Sequence, residues 1–506
     1  MFNIKHPFEA NTGSDRLGSA RFFLPLILFS LFIAHYITLN GVSIGITLII
    51  FPFIILYAGF LFTNPILGIY TVTFLGFTIL GLTRYVSVGM IGLSIDTVLF
   101  VTLIAMFFNK FHERLDWSPV KKDIALLSLI WMAYGLFGVV NPEIRLMELW
   151  LSSFRTVSSY MLFIVILVLM LFKTQKQFYS FLYVWGTLSI IASLKGVMQQ
   201  YIGLDAAEQA WLDAGAHNTH VLFGKLRIFS FLSDAGQFGA NQAYAGVVFI
   251  ILSLKEPSFG KKLFFFIAGL LGIWGMFLSG TRGAISVPLA GFMLFFFLKK
   301  NKYILISGIV FMAIVFVFFK YTTIGQDVQQ IRRMRTAFDP NDASLQTRLA
   351  NQRTLSRYLS SRPFGGGLGH AGVKVQKKLP NSFLANIATD SWYVLIWAEQ
   401  GIVGLYLHLF ILFYILIKSS YLIMFRIRDT LVRQQMTALT AGYLGVMVAS
   451  YGNAVLGQIP TSITIYISMA LILTPERFDE EMAQEIQNRK QMAHSNGVSA
   501  SRNVVS

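Results

Sequence analysis

The sequence predicts an all-α polytopic membrane protein, with about 12–14 transmembrane helices and a long helical extracytoplasmic loop near residues 320–390. Three observations carry this reading. Of 506 residues, 55% are apolar and only 13% charged, where a soluble domain holds roughly a quarter charged. The apolar residues gather into runs close to the ~20 residues that cross a bilayer as a helix. Basic residues gather in short connections on alternate sides, as the positive-inside rule requires.

Taken in order, the runs fall at residues 22–37, 43–63, 66–83, 92–108, 123–140, 157–172, 177–197, 238–254, 263–279, 284–298, 303–319, 391–417, 436–453 and 459–474. The first follows a polar segment, Met1 to Arg21, with no small-residue cleavage pattern, and so reads as an uncleaved first helix. Lys110, Arg114, Lys121 and Lys122 follow the fourth run, Lys173 and Lys176 the sixth, and Lys255, Lys261 and Lys262 the eighth. Lys299, Lys300 and Lys302 follow the tenth, and Lys418, Arg426, Arg428 and Arg433 the twelfth. Arg477, Arg489 and Lys490 in the tail keep the same parity, which puts both termini in the cytoplasm. Residues 1–474 are expected to form one membrane domain, and 475–506 a cytoplasmic tail whose polar last part lacks apolar periodicity and is disordered.

Two connections on the opposite side are long, at about residues 203–237 and 320–390, and long loops in packed proteins tend to carry function. The second holds Arg332, Arg333, Arg335, Arg348, Arg353, Arg357, Arg362, Lys374, Lys377 and Lys378 with few acids. Within it Leu345, Leu349, Leu355 and Leu359 recur at helical spacing, so Ser344 to Arg362 is predicted as an amphipathic helix. Pro363 and the run Gly365, Gly366, Gly367 and Gly369 then end it and allow tight turns. A shorter amphipathic piece is expected at Pro142 to Arg155, outside the bilayer.

Composition narrows the chemistry. Cysteine is absent, which removes thiolate nucleophiles, disulfides, sulfur-ligated zinc and iron–sulfur clusters. A formal net charge of +17 suits anionic headgroups and phosphorylated lipid substrates, and nucleic acid is set aside as a partner. Arg282 stands in a very tight outer hairpin, Ser279-Gly280-Thr281-Arg282-Gly283, where it either snorkels to headgroups or faces a polar ligand. Arg227 enters from the other long loop, and two guanidiniums meeting in one pocket would suit a diphosphate. Asp234 reads first as a helix cap or an arginine's partner. Asp390, at the mouth of the twelfth run, is either a cap or a carboxylate placed to take a proton from a hydroxyl. Trp392 and Tyr393 beside it suit sugar stacking or interface anchoring, and Glu399 further in is expected to be buried and paired. His217 and His220, with Asp205, Glu208 and Asp213 nearby, have no obvious third ligand and read as a solvated loop, so no metal and no cofactor is assigned. Asp96 and Lys195, near predicted membrane boundaries, have no evident partner.

Four segments belong together: Gly196–Gly203 (GVMQQYIG), Arg227–Gly239 (RIFSFLSDAGQFG), Leu278–Ala284 (LSGTRGA), and Arg348 through the glycine-rich turn to Leu405, including NIATDSWYVLIWAEQGIVGL. Together they resemble the bacterial O-antigen ligase and O-antigen polymerase superfamily, membrane glycosyltransferases acting on undecaprenyl-diphosphate-linked sugars. The related core spans about residues 190–410. The resemblance implies a large outer loop, arginines that hold a lipid diphosphate, and metal-independent transfer. Mapped onto this chain, Arg227 and Arg282 would be the diphosphate arginines, with Arg348 and Arg353 lining the same loop. Ligases typically carry a His-Asn pair where this chain has Asp390-Ser391; an acid at this place looks more like the polymerase branch.

The function expected is therefore polymerisation of undecaprenyl-diphosphate-linked repeat units into O-antigen or exopolysaccharide at the outer face of the bacterial inner membrane. Arg282 and Asp390 are the expected catalytic residues, with Arg227, Arg348, Arg353, Trp392 and Tyr393 binding diphosphate or glycan. Donor and acceptor lipid-linked glycans and membrane lipids are the expected partners, with a chain-length regulator as a further candidate. The alternatives are a ligase or protein oligosaccharyltransferase, separated by acceptor, and a lipid-linked sugar flippase. Flippases tend to show paired repeats and midplane charges, whereas this chain gathers its arginines in outer loops.

Overall fold

The computed structural model describes residues 20–40, 42–85, 91–109, 115–222, 224–339, 341–485 and 487–488. Lys110, Arg114, Arg489, Lys490, the segment before residue 20 and the tail expected to be disordered lie outside the described residues. By compactness the chain divides into two units, Met1–Asn64 and Pro65–Ser506. In the first, α1 (Ala20–Asn40) and α2 (Val42–Thr63) pack on one another.

The second unit holds α3 (Ile66–Leu82), α4 (Ser94–Asn109), α5 (Asp123–Phe137), α6 (Met147–Phe154), α7 (Tyr160–Leu171) and α8 (Gln175–Tyr201). After the short α9 (Ala206–Trp211) come α10 (Ala235–Ser253), α11 (Phe259–Ser279), α12 (Ser286–Leu298) and α13 (Lys302–Tyr321). The long loop contributes α14 (Gln329–Arg335) and α15 (Ala343–Leu359), and α16 (Trp392–Phe425), α17 (Thr430–Ala449) and α18 (Thr461–Ile472) follow. Every apolar run of the sequence lies on a helix, and the protein is an all-α polytopic membrane protein. Six described helices are long and apolar enough to cross a membrane, and others are shorter apolar helices of 10–17 residues. Among the described residues, extended pairing is confined to a hairpin of Val221–Leu222 with Lys225–Leu226.

One boundary differs from expectation. The piece at Pro142 to Arg155 is not separate, because a π-helical turn at Arg155–Ser159 fuses α6 and α7 into one apolar element, Met147–Leu171. That turn holds Arg155, whose guanidinium lies 3.3 Å from Asp96, so the carboxylate near the start of α4 has its counter-ion across the bundle.

The core is built around α10, where nearly every residue is buried. It packs on α11, α17, α12 and α8. Small residues let the backbones touch: a Cβ on Gly272 would sit 2.7 Å from the Gln242 carbonyl oxygen and 2.7 Å from the Gly246 nitrogen. With lipid tails as apolar as leucine, such close approach and buried hydrogen bonds hold membrane helices together. Ser193 donates to Gln242 Oε1 at 3.1 Å, Gln237 Nε2 to Thr461 Oγ1 at 3.0 Å, and Thr461 to Asn241 Oδ1 at 3.1 Å.

Candidate active site

The loop after α8 is tied down before it reaches the arginines. Lys195, near the end of α8, lies 3.0 Å from Asp205 and 3.2 Å from Glu208, which satisfies the lysine left without a partner by the sequence. Asp205 and Glu208 also form the capping box of α9. Arg84 lies 4.5 Å from the ring centroids of both Trp211 and Phe229 and donates to the carbonyls of Ser230, at 2.6 Å, and Leu232. His220 packs edge-on to the same two rings. The segment from Arg227 to Asp234 is thereby fixed over the start of α10. Asp234 accepts the Gln237 N–H at 3.0 Å, the cap its position suggested.

Arg282 owes its place to the turn between α11 and α12. Gly280 ends α11 at φ +55, a left-handed conformation suited to glycine, and Arg282 opens a single 3-10 turn before α12. Its guanidinium reaches Asp342 Oδ2 at 2.5 Å and Thr336 Oγ1 at 3.4 Å. Arg227 approaches the same turn: Nη2 donates to Thr281 Oγ1 at 3.3 Å and Nη1 to the Thr219 carbonyl at 3.5 Å. Its Nε is buried without a partner. A third guanidinium, Arg333 on α14, completes the group; a Cβ on Gly280 would sit 3.6 Å from its Nη1.

The three cations feel one another. Burial, followed by the fields of Arg227 and Arg282, pushes Arg333 down to about 10. Burial lowers Arg227 as well, with Asp234 opposing and Arg282 adding to the effect. Only Arg282 of the three forms an ion pair among the described residues. Close by, the loop between α17 and α18 brings Asn453 against the hairpin: a Cβ on Gly283 would meet its Nδ2 at 2.6 Å, and that Nδ2 has no hydrogen-bond partner. Two orphaned donors, Arg227 Nε and Asn453 Nδ2, and an excess of guanidinium make a cradle for an anion.

Asp390 sits to one side. Its Oδ2 accepts from Arg348 Nε at 3.3 Å and its side chain is 51% exposed. It does not cap α16; the cap position is Ser391, whose Oγ donates to the Ser450 carbonyl at 3.3 Å. Two connections run between Asp390 and the arginine group. Asp342 caps α15 and Arg348 stands on that helix six residues later, about 9 Å away in axial rise. Ser391 and Trp392 are pinned to Ser450, at the end of the helix whose Ala449 carbonyl accepts the Asn453 N–H at 3.1 Å.

Other expectations need correction. Arg353 is exposed, forms no ion pair among the described residues and lies about 140° round α15 from Arg348, so it is not brought to the Arg348–Asp390 pair. Trp392 does not offer its ring to a sugar: it is 2% exposed, packs against Gly457 and donates Nε1–H to His408 Nε2 at 2.9 Å. Tyr393 is directed inward and donates to the Met447 carbonyl at 2.7 Å. Both are spacers between helices. Arg333 and Asn453 were not singled out by the sequence, since one lies among several loop arginines and the other in an unremarkable turn.

Below Asp390, α16 breaks at Gly401 (φ 71, ψ −172). The glycine-rich hairpin enters the break, with Gly367 N–H bonded to the Glu399 carbonyl at 3.0 Å and Val403 N–H to that of Pro363 at 3.3 Å. Glu399 is buried and accepts the Ala371 N–H at 3.4 Å, so this broken helix is filled by the protein's own backbone. A lateral cavity of about 390 Å³ opens beside it, walled by Tyr134, Phe137, Arg362, Phe364 and Gln400.

Fold and site define a multi-pass membrane protein with three arginines clustered at the hairpin between α11 and α12. Residues 263–409 match the model of the O-antigen ligase family, so this stretch of the chain is similar to that family. The matched stretch runs from α11 through the hairpin and both loop helices to the first half of α16; it includes Arg282, Arg333, Arg348 and Asp390 and leaves out Arg227 and Asn453. A search of curated proteins found no match.

Proposed function

We propose that this protein is a membrane glycosyltransferase that polymerises undecaprenyl-diphosphate-linked oligosaccharide repeats at the outer face of the bacterial inner membrane. The observation that carries the reading is the meeting of Arg227, Arg282 and Arg333 at one hairpin, with Arg227 Nε and Asn453 Nδ2 left without partners. Such a cradle suits a diphosphate, which gains charge as it leaves the anomeric carbon. The acceptor hydroxyl oxygen forms the new bond to that carbon while the carbon–oxygen bond to the diphosphate breaks and its electron pair stays on the diphosphate. The hydroxyl proton passes to Asp390, and single displacement inverts the carbon. Preorganised donors aimed at developing negative charge lower such barriers.

The acid at position 390 favours polymerase over ligase, and the exposed edge of Asp390, held by Arg348, leaves room for a hydroxyl. Purified protein given only undecaprenyl-diphosphate-linked repeats should yield a size ladder, which Arg282→Ala abolishes. Transfer that starts only when lipid A core or a protein acceptor is supplied would identify a ligase or oligosaccharyltransferase in its place.

A further inference from the structure

The face opposite the two long loops carries a second cationic site, independent of the glycan chemistry. There the turn after α10 and the ends of α12, α16 and α17 enclose a cavity of about 140 Å³. Lys255, Lys299, Lys300 and Arg433 line it with the polar side chains of Gln434 and Thr437, and no carboxylate is in its wall. Positive charge on this face is what topology requires, but topology does not require four cations from three chain segments to turn toward one hollow.

Their neighbours leave the charge uncompensated. Glu256, beside Lys255, is buried and accepts the Tyr179 hydroxyl at 2.7 Å. Asp429 caps α17 through the N–H groups of Leu431 and Val432. None of the four cations forms an ion pair among the described residues. They rest on neutral acceptors: Lys299 on Gln434 Oε1, Lys300 on the Met424 carbonyl, and Arg433 on that of Ile427 at 2.5 Å. An ammonium has three donors and a guanidinium five, so most remain available. Burial and the fields of Lys255 and Arg433 push Lys299 down to about 8, a strain that a bound anion would relieve.

We propose that this cavity binds the phosphate of an acidic phospholipid headgroup in the leaflet on this side. Its volume is several times the ~30 Å³ share of a water molecule, enough for a phosphate group. Leu298, Ile423 and Met424 in the same wall offer an apolar flank to the rest of the lipid. Basic pockets between helix ends on the positive side of a membrane protein have the chemistry for such headgroups.

The test is a thermal-shift titration of the purified full-length protein in a nonionic detergent with phosphatidylglycerol, phosphatidylcholine or inorganic phosphate. Phosphatidylglycerol should raise the melting temperature saturably and phosphatidylcholine should not. Lys299→Gln/Arg433→Gln should weaken the apparent affinity by about fivefold per cation removed. Lys255→Gln, at an exposed position, should weaken it about fivefold even if the double variant fails to fold. An equal response to inorganic phosphate would overturn the lipid assignment in favour of a soluble phosphate. A response to phosphatidylcholine matching that to phosphatidylglycerol, or variants that titrate like the wild type, would overturn the site.

Discussion

Arg282 is held by Asp342 and Thr336 while Arg227 keeps an unpartnered Nε, so the two arginines should respond differently to substitution. Removing a preorganised donor from a developing oxyanion costs roughly 10²–10³ in turnover, and Arg282→Ala should lose at least that much in a ladder assay. Arg282→Lys should recover little, since a lysine cannot present a planar fork to Asp342 and a phosphate oxygen together. Asn453→Ala should lower turnover about tenfold or more without changing the melting temperature, because its Nδ2 bonds nothing in the folded chain; unchanged turnover would remove Asn453 from the site. At this scale the sequence was legible where chemistry and local geometry coincide, as in the glycine-flanked Arg282. Arg333 was hidden because three arginines within four residues of one short helix look alike until tertiary packing turns one of them toward Gly280. Trp392 misled because aromatic residues at a helix mouth serve equally as sugar platforms, interface anchors and packing wedges.

Among the elements, the amphipathic helix expected at Ser344 to Arg362 appears as α15, Ala343–Leu359, with Asp342 capping it through the Leu345 N–H. Leucine periodicity sufficed because the helix buries one stripe, fully at Leu355 and Leu359 and partly at Leu345 and Leu349. The break in α16 was not legible, because Gly401, although it follows Glu399 and Gln400, lies inside a run long enough for one unbroken helix, and only the docking hairpin gives it its conformation. A Cβ on Gly401 would lie 2.0 Å from the Pro363 carbonyl oxygen, at φ +71. Gly401→Ala should therefore destabilise the protein by about 2 kcal/mol or more, read as a lower melting temperature, whereas Gly260→Ala, with open space around it, should not.

For the whole molecule, the tie between α5, α6 and the glycine-rich hairpin sets a pH limit. His370 is buried, and its Nε2 accepts the N–H groups of Arg145 at 3.0 Å and Leu146 at 3.2 Å. It must be neutral to do so, and burial, followed by the field of Arg145, holds it below the usual imidazole value. The unfolded chain then binds the proton first, so stability is full above about pH 6.5 and declines as pH falls through that value toward the lower folded one. The melting temperature should drop between pH 7.5 and 5.5, and the drop should shrink in His370→Gln. The fold as a whole was legible because bilayer thickness and charge asymmetry are strong constraints on sequence. The joining of α6 to α7 was not, since a π turn leaves no compositional trace.

The placement of α10 bears on how the protein is made. This helix is walled by α8, α11, α12 and α17 and carries Gln237, Asn241 and Gln242 inside the bundle. Its packing is complete only once its later neighbours have been made, and α17 follows some 180 residues later. Asp234 caps its start and Asn453 follows α17, so the arginine hairpin and Asn453 come together only when nearly the entire chain has been made, and a truncated product lacking α17 would lack the complete site.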